Sequence, residues 1–375
     1  MICIVDESNQ SQNIPKQRAI YIAQQTFWML SLDINYALGR KIKHYEETKK
    51  SLSIYEIQKE ITQLKKKPET EWLSEVFSHS LQQACFDLDS AFSRFFKKIG
   101  KFPRFKSKHS PKQSYRVPDA FEISNDRRSI KIPKLGWVSF KDEFDFKKEY
   151  DYRQITVSRT PSGNYMVSIL YDDKKKEITP KKIKSERTLG IDVGVKTLAT
   201  LSDGTKIENP KFYAKYQQEL GSAQASFSKK KTNSKNYWKQ RKIVAKKHEK
   251  ISNCLKDYLH KLSNDLIENQ DYDSFAMEHL DVKTMEAEHV NQVGWNMLKN
   301  MMVYKCKERG KNLLTIGKYD PSSKTCSKCG HIKEDLKLSD RQWICPICNK
   351  NHDRDINAAN NIKLFALVRA EPLKL

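Results

Sequence analysis

The chain lacks any apolar run that approaches the roughly 18 to 20 residues required to span a bilayer. Its first residues, MICIVDESNQ, also lack the basic segment and the long apolar core of a secretory signal peptide. We therefore expect a cytoplasmic protein that does not contact membranes and keeps its thiols reduced. A basic protein on a membrane surface stays an alternative, although no compact amphipathic anchor is evident.

Acidic residues are scarce relative to basic ones. The 375 residues include 69 Lys and Arg but 46 Asp and Glu, a formal net charge of +23. An excess of this size favours a polyphosphate partner, because each neutralised phosphate releases counterions. The length is sufficient for two or three domains with cores of their own.

Cysteine is sparse, yet half of the eight cysteines form two Cys-x-x-Cys pairs, Cys326/Cys329 and Cys345/Cys348. Two intervening residues let both thiolates of a pair reach one tetrahedral Zn²⁺ ion, and the gap between the pairs is typical of four-cysteine sites. A structural Zn²⁺ site is therefore predicted, with disulfides as the alternative. The nearby His331 and His352 are predicted not to be ligands. The remaining thiols are predicted to be small buried hydrophobes, at Cys3, Cys85, Cys254 and Cys306.

The front of the chain is predicted to be mainly helical up to about Gly100, because apolar residues recur every three or four positions. The following segment, KFPRFKSKHSPK, interleaves aromatic and basic residues and is either a base-stacking segment or an ordinary basic loop. From residue 115 to 172 the pattern alternates, with a turn signal at residues 161–164, and predicts a small antiparallel barrel or sheet. The charged residues 174–187 are predicted to be a linker.

Three acids occupy comparable positions further along the chain. The apolar strand Thr188–Val193 contains Asp192, the strand Ser274–Met277 ends at Glu278, and Asp355 opens a helix after the cysteine pairs. A carboxylate in an apolar strand is costly unless it binds a cation, although Asp192 could instead accept hydrogen bonds from turn amides. The flanking Gly190 and Gly194 are predicted to admit a phosphate backbone.

One carboxylate from each of two strands and one from a helix is the pattern of a ribonuclease H-type site. Mg²⁺ prefers such oxygen ligands, and two ions roughly 3.5 to 4 Å apart can serve an in-line displacement at phosphorus. Between the first two acids, residues 210–268 are predicted to form a helical hairpin with one basic face.

The segments GIDVGVKTLATLSDG and AMEHLDVKTM, and the cysteine pairs running into HDRDINAANNI, resemble the three RuvC motifs and the zinc ribbon of the TnpB family. These proteins are transposon-encoded RNA-guided nucleases related to type V CRISPR effectors. The resemblance implies that Asp192, Glu278 and Asp355 are catalytic and hold Mg²⁺. In HDRDINAA the second acid matches the family's ligand position, so the resemblance favours Asp355 over Asp353. The Zn²⁺ ligands would be the four paired cysteines.

The front half resembles the family more weakly, in INYALGRK, HSLQQACFDLDSAFSRFFKK and KFPRFKSK. The polar faces of these helices and the basic loop are predicted to contact nucleic acid through Tyr36, Gln82, Gln83, Arg104 and Lys106. Family members usually begin with a basic strand that enters the barrel. MICIVDESNQSQNIPKQ stands there instead and is not basic, so residues 1–14 are predicted to be a short lead-in, and whether they complete the barrel stays open.

The predicted fold is therefore α+β and multidomain. It comprises a mainly helical recognition domain (1–114), a β-barrel region (115–173), the linker (174–187) and an RNase H-like (RuvC) α/β nuclease domain (188–375) with an inserted zinc ribbon (321–350).

The predicted function is RNA-guided cleavage of double-stranded target DNA, next to a short target-adjacent motif, by an insertion-sequence endonuclease. The guide would be an omega-type noncoding RNA, and the protein would associate with the nucleoid. Two alternatives stay open: a regulator of transposition that binds without cutting, and a guide-independent Mg²⁺ nuclease.

Overall fold

The computed structural model shows a chain that divides into two compact units, Met1–Lys175 and Lys176–Leu375. Across the described residues, no helix is both long and apolar enough to cross a membrane. The structure describes residues 2–5, 14–107, 110, 112–126, 128–140, 149–278, 294–317, 320–337 and 339–369.

The helical part of the first unit follows the predicted three-and-four apolar repeat. Its helices are α1 (Ile14–Thr48), α2 (Ile54–Leu64) and α3 (Ser78–Phe96). They share a core that includes Leu38, Ile57 and the predicted buried thiol Cys85. A capping box begins α2: the Ser53 hydroxyl accepts from an amide of the first turn, and the Ser53 amide donates to Glu56 Oε2 at 3.0 Å. A short 3₁₀ stretch, Pro68–Glu75, connects α2 to α3.

The strands of the first unit form two antiparallel sheets. One has the order β1-β7-β6-β2 and the other the order β3-β4-β5. The β6–β7 hairpin closes at the predicted turn, where the Thr160 amide donates to Asn164 O at 2.8 Å. The strands are β1 (Ile2–Val5), β2 (Gln113–Val117), β3 (Glu122–Ile123), β4 (Ser129–Ile132), β5 (Gly136–Ser139), β6 (Asp151–Arg159) and β7 (Tyr165–Asp172).

The structure corrects the predicted barrel and answers the open question of the amino-terminal strand. The described strands do not form a closed barrel, because β3, β4 and β5 hydrogen-bond only to one another and no ladder joins their sheet to the other. The amino-terminal segment does supply a strand: Ile2 pairs with Val167 and Cys3 with Met166 on β7. Charge was a poor guide here, because backbone pairing requires an extended segment and a free sheet edge but no basic side chains.

The second unit contains a five-stranded sheet of order β10-β9-β8-β11-β12. Strands β8, β11 and β12 are mutually parallel, whereas β9 pairs antiparallel with β8 and β10 with β9. Most residues of the parallel strands are buried, as expected for strands covered on both faces. Their bounds are β8 (Thr188–Val193), β9 (Thr197–Leu201), β10 (Lys206–Glu208), β11 (Ser274–Glu278) and β12 (Asn312–Ile316).

Helices surround this sheet. The predicted basic hairpin is α4 (Phe212–Ser228) followed by α5 (Lys235–Glu268). Helix α6 (Trp295–Glu308) precedes β12, and α7 (Arg354–Arg369) ends the described chain. The part of AMEHLDVKTM from residue 279 onward lies outside the described residues, as do residues 108, 109 and 111 of the basic loop. The ribbon region contributes a small hairpin, β13 (Gln342–Ile344) and β14 (Asn351–Asp353).

The end of the predicted linker is attached to the second unit. Lys181 donates its amide to Gly310 O at 2.9 Å, and the Asn312 amide group donates to Lys181 O at 2.8 Å. Asp273, just before β11, forms ion pairs with Lys181, at 2.7 Å, and with Arg187. These two cations hold the pKa of Asp273 down at about 2. The segment therefore packs along the edge of this unit and is not a free tether.

Candidate functional site

Strand register brings Asp192 and Glu278 together. Strands β8 and β11 are parallel neighbours with Ala276 opposite Gly190 and Met277 opposite Ile191. One further step along the same register places Glu278 beside Asp192, with the strands about 4.8 Å apart. Both acids thus lie at the carboxyl ends of adjacent parallel strands, at the same edge of the sheet.

Helix α7 brings in the third acid, and a glycine makes this possible. A Cβ at Gly190 would overlap the carbonyl oxygen of Ala359, so the helix backbone lies directly on the strand. Gly190 and Asp192 share one face of β8, and Ala359 and Asp355 are one turn apart on α7. Gly190 therefore admits a helix backbone, not the phosphate backbone that the sequence suggested. Gly194 tightens the following turn, where a Cβ would lie 2.9 Å from Thr197 O.

The three acids interact electrostatically. Burial, and then the negative charges of Asp355 and Glu278, raise the pKa of Asp192 to about 8. Burial also raises the pKa of Glu278, with Asp320 adding to the effect. Like charges in a poorly hydrated site disfavour ionisation, so this group would gain from a bound cation.

Asp353, two residues before Asp355, has a different environment. Its Oδ1 accepts from the amides of Asp355 and Ile356, both at 3.1 Å, and so caps the first turn of α7. Its Oδ2 accepts from Lys206 Nζ at 2.7 Å. Burial acts to raise the pKa of Asp353, but Lys206 and these amides lower it overall. Both carboxylate oxygens of Asp353 therefore have partners within the chain.

Two of the three acids line a cleft of about 570 Å³ that also has basic side chains around it. Asp192 and Asp355 line it together with Lys196, Lys211 and Arg341. Arg341 belongs to the ribbon and lies 3.6 Å from Asp355 Oδ1. Sequence reasoning missed Arg341, because an isolated arginine next to a short strand carries no pattern that separates it from the other basic residues.

The ribbon brings the four paired cysteines together, as predicted. Their sulfur atoms all lie within 4.8 Å of one another. Cys326 and Cys348 are 3.6 Å apart at sulfur, and Cys329 and Cys345 are 3.5 Å apart. These separations are far too long for disulfides, which need about 2.05 Å. They are close to the roughly 3.8 Å edge of a tetrahedron with Zn–S bonds of about 2.3 Å. The group therefore fits a structural zinc ion.

His352 is buried next to this group although it is not one of the four. Its Nε2 lies 3.1 Å from Cys326 Sγ, and its ring packs against Trp343 at 4.7 Å between centroids. Such a contact orients a thiolate without replacing it. The group that fits a metal ion among the described residues therefore consists of the four cysteines, as predicted, and the His352 ring contacts one of them. His331 takes part through its backbone, whose carbonyl accepts from the Cys326 amide at 2.8 Å.

Two buried asparagines of α7 tie the ribbon to the helix that carries Asp355. Asn357 donates to Thr325 O at 2.7 Å and accepts from the Ser327 amide at 3.0 Å. Asn361 donates to Ser322 O at 2.7 Å and to Thr325 O at 2.6 Å. Both side chains are almost fully buried, at 2% and 1% exposure. The ribbon and the third acid are thus parts of one packed assembly.

The five predicted nucleic-acid contacts all lie in the first unit, and their surroundings differ. The Tyr36 hydroxyl donates to Glu60 Oε2 at 2.9 Å, beside the Arg40–Glu60 ion pair. Gln83 donates to Asp87 Oδ1 at 3.1 Å and is half-buried. The side chains of Gln82, Arg104 and Lys106 are exposed. Tyr36 and Gln83 therefore already have intramolecular partners, whereas the other three face solvent.

Comparison with known proteins agrees with this architecture. A family model described as "Probable transposase" matches residues 166–288, and a model of the "Cas12f1-like, TNB domain" matches residues 295–362. A protein of Streptomyces pristinaespiralis named "Putative RNA-guided DNA endonuclease" is 34% identical over 345 residues, covering 90% of this chain and 84% of that protein. The chain belongs to the TnpB family.

Other relatives bear out this membership in the TnpB family. A "TnpB-like protein" of Acanthamoeba polyphaga mimivirus is 31% identical over 147 residues, 36% of this chain and 27% of that protein. Among solved structures, the chain is similar to the protein of a Cas12f1–sgRNA–target DNA complex, with a TM-score of 0.58 and 16% identity over 91% of this chain and 82% of that one. At this identity the likeness concerns the fold.

Proposed function

We propose that this TnpB-family chain is an RNA-guided DNA endonuclease of an insertion sequence. The observation that carries the proposal is the meeting of Asp192, Glu278 and Asp355 beside a cleft lined by basic side chains. A relative sharing 34% identity over most of both chains is named for the same activity. We propose these three acids as the catalytic residues.

The donor set fits Mg²⁺. Three carboxylates offer hard oxygen ligands, and the pKa of about 8 at Asp192 reflects a cluster that is short of positive charge. We expect two ions, held by Asp192, Glu278 and Asp355. When bound, Mg²⁺ supplies a Lewis acid that stabilises charge on phosphoryl oxygens and makes water more acidic.

The surrounding residues have separate tasks in this proposal. Lys196, Lys211 and Arg341 attract the DNA backbone into the cleft and orient the phosphate by charge-assisted hydrogen bonds. Asp353 caps the first turn of α7 and so adds to the stability of that helix. The basic hairpin would add phosphate contacts, because residues 229–250 include ten Lys and Arg but one Glu.

The partners proposed are a guide RNA of the omega type and a double-stranded DNA target beside a short adjacent motif. The net charge of +23 supports two polyanionic partners, and the Cas12f1 structure with a similar fold was determined with sgRNA and target DNA. Tyr36, Gln82, Gln83, Arg104 and Lys106 stay predicted contacts. The cytoplasmic, nucleoid-associated localisation stays a prediction.

The test is cleavage of a plasmid that carries a matched target, with the purified protein–RNA complex. We expect Mg²⁺ to be required and each of Asp192→Asn, Glu278→Gln and Asp355→Asn to abolish cutting while RNA and DNA binding persist. Asp353→Asn is the matched control, two residues from Asp355, and is expected to cut. Full activity in EDTA, or cutting by Asp192→Asn, would overturn the proposal in favour of a regulator that only binds.

Sequencing the RNA that co-purifies with the protein separates guided from unguided cleavage. A single structured RNA species is expected. Random RNA fragments, together with cleavage of unmatched plasmid, would instead indicate a guide-independent Mg²⁺ nuclease.

A further inference from the structure

The start of helix α4 forms one wall of the carboxylate cleft. Lys211, Tyr213 and Ala214 line this cleft together with Asp192 and Asp355. Metal ions and phosphates call for carboxylates and cations, so an aromatic ring has no task in the chemistry proposed above. A nucleotide also carries a flat base, and aromatic rings are the side chains on which bases stack. The cleft thus offers partners for both parts of a nucleotide.

The ring of Tyr213 is available for such a contact. It is half-buried, lines the cleft, and makes no hydrogen bond or ring contact with the described residues. The neighbouring Phe212 differs, because its ring meets that of Tyr258 edge-on, with 6.0 Å between the centroids. Phe212 therefore anchors the first turn of α4 to α5, and Tyr213 stays free to contact a ligand.

The wall that carries this ring is held in place. The amide of Lys211 donates to Asn209 Oδ1 at 3.0 Å, and Asn209 Nδ2 donates to Val195 O at 2.8 Å. Asn209 therefore joins the start of α4 to the turn that follows β8, the strand of Asp192. A group on a fixed backbone loses less conformational freedom on binding, which favours the bound state.

The same cleft has charges for the phosphates that flank a base. Lys196 and Lys211 are exposed, line the cleft, and have no ion-pair partner among the described residues. Val195 also lines the cleft and is 45% exposed. Cations beside aromatic and apolar side chains are the combination that binds unpaired nucleic-acid strands. The cleft can therefore hold a phosphate and the base attached to it at the same time.

We propose that Tyr213 stacks on the base of the nucleotide next to the phosphate held at the three acids, while Lys211 contacts the phosphate of that nucleotide. A base inside a duplex has both faces covered by its neighbours, so the base on Tyr213 must be unpaired or turned out of its stack. Tyr213 thereby selects the strand conformation that the cleft accepts. The inference rests on the proposed function in that the acids hold a substrate phosphate.

A photocrosslink tests the contact without cleavage. The full chain carrying Asp192→Asn is mixed, in EDTA, with single-stranded DNA that contains 5-iododeoxyuridine, whose base crosslinks under light to an aromatic ring stacked on it. Mass spectrometry should find the crosslink on Tyr213, and Tyr213→Leu should remove it. Tyr216→Leu is the matched control, since Tyr216 lies one turn further along α4 and does not line the cleft. Crosslinks that never include Tyr213 would overturn the proposal.

Cleavage of a matched target by the protein–RNA complex tests the consequence. Tyr213→Leu should slow single-turnover cleavage by roughly five- to hundredfold, whereas Tyr213→Phe, which keeps the ring, and Tyr216→Leu should cut at the wild-type rate. One abasic nucleotide beside the cut should slow the wild type but not slow Tyr213→Leu further, because both changes remove the same interaction. Equal slowing of both proteins at every abasic position, or a Tyr213→Phe as slow as Tyr213→Leu, would refute the stacking.

The two arms also separate this inference from the proposed function. A wild-type complex that does not cut, although Tyr213 still crosslinks, would refute the endonuclease and leave the stacking contact standing. Normal cutting by Tyr213→Leu, with no crosslink at Tyr213, would refute the stacking contact and leave the endonuclease standing.

Discussion

The zinc ribbon and the carboxylate cleft lie next to each other in the second unit, yet they are built in opposite ways. All four ribbon thiols come from residues 326–348, and short turns aim them: the Gly330 amide donates to Cys326 O at 2.8 Å and the Cys345 amide to Lys350 O at 2.9 Å. The acids of the cleft come from two strands and a helix that are distant in the chain. A site within one short segment is set by the spacing of its residues in the sequence. A site made of distant segments depends on the register of its strands and on how its helix packs against them.

The cleft depends on the ribbon, whereas the ribbon does not depend on the cleft. The ribbon has its own ligands and its own small core around Trp343 and Leu336. The cleft, in contrast, depends on α7, and α7 is bonded to the ribbon through Asn357 and Asn361. We therefore expect damage to the ribbon to reach the cleft, and damage to the cleft to leave the ribbon intact.

The largest effect is expected from Cys345→Ser. Structural Zn²⁺ contributes on the order of 10 kcal/mol to the folding of small zinc modules, so loss of one thiolate should release the metal and unfold the ribbon. Cleavage should fall to background because α7 loses its support. Elemental analysis and plasmid cleavage measure the two outcomes. Cys254→Ser, outside the cysteine group, is the control. Full cleavage by a zinc-free protein would contradict the dependence of the cleft on the ribbon.

Gly190→Ala should break the cleft and spare the ribbon. The added methyl group would overlap the Ala359 carbonyl, so α7 must shift and carry Asp355 with it. A displacement of about 1 Å in a catalytic group can lower the rate roughly a hundredfold. Zinc content should stay at the wild-type level.

Gly221→Ala in α4 is the matched control for this change, because a Cβ there would have no neighbour within 4 Å. Alanine in a helix interior should stabilise that control by about 0.5 to 1 kcal/mol. Equal cleavage rates for Gly190→Ala and Gly221→Ala would refute the role of Gly190.

Asn361→Ala tests the connection between the two regions. It leaves the carbonyls of Ser322 and Thr325 without this donor, at a cost of about 1 to 3 kcal/mol in the free energy of unfolding. Zinc should remain bound while cleavage decreases. Asn360→Ala is the control, since its amide donates within α7 to Ile356 O. Chemical denaturation and zinc analysis of both variants check the prediction, and a matching loss in the control would count against it.

Asp353→Ala should have the smallest effect. Loss of the helix cap costs about 1 kcal/mol, and cleavage should continue because Asp355 keeps its place. The pKa of Asp353 is lowered in the folded protein, so its contribution is present above the ordinary carboxyl pKa of about 3.9 and disappears as the pH falls through the lowered value. Wild type and variant should therefore converge in stability at acidic pH.

Denaturation curves at neutral and acidic pH measure this convergence. Lys206→Met, which removes the ion pair but not the cap, should be milder than Asp353→Ala at neutral pH. A stability difference that persists unchanged at low pH would show that the carboxylate charge is not responsible.

The sequence was informative about the candidate site wherever one short window contained the signal. The cysteine spacing predicted the ribbon, and the apolar strands around Asp192 and Glu278 located two of the acids. The same reasoning failed for Gly190, whose role depends on a helix more than 160 residues away, and for Arg341, which has no pattern of its own. The predicted barrel failed for a related reason: alternation identifies strands but not their partners.

By itself, the sequence determined the helices and strands with strong periodicity and the four-thiol group, because each depends on residues within a few turns of one another. It also singled out the three acids that we propose as catalytic, through short motifs around each of them. Only the tertiary structure decided that Glu278 stands beside Asp192 and that α7 lies against Gly190. Register and close packing are set by contacts between distant segments, and no single window of sequence contains both partners of such a contact.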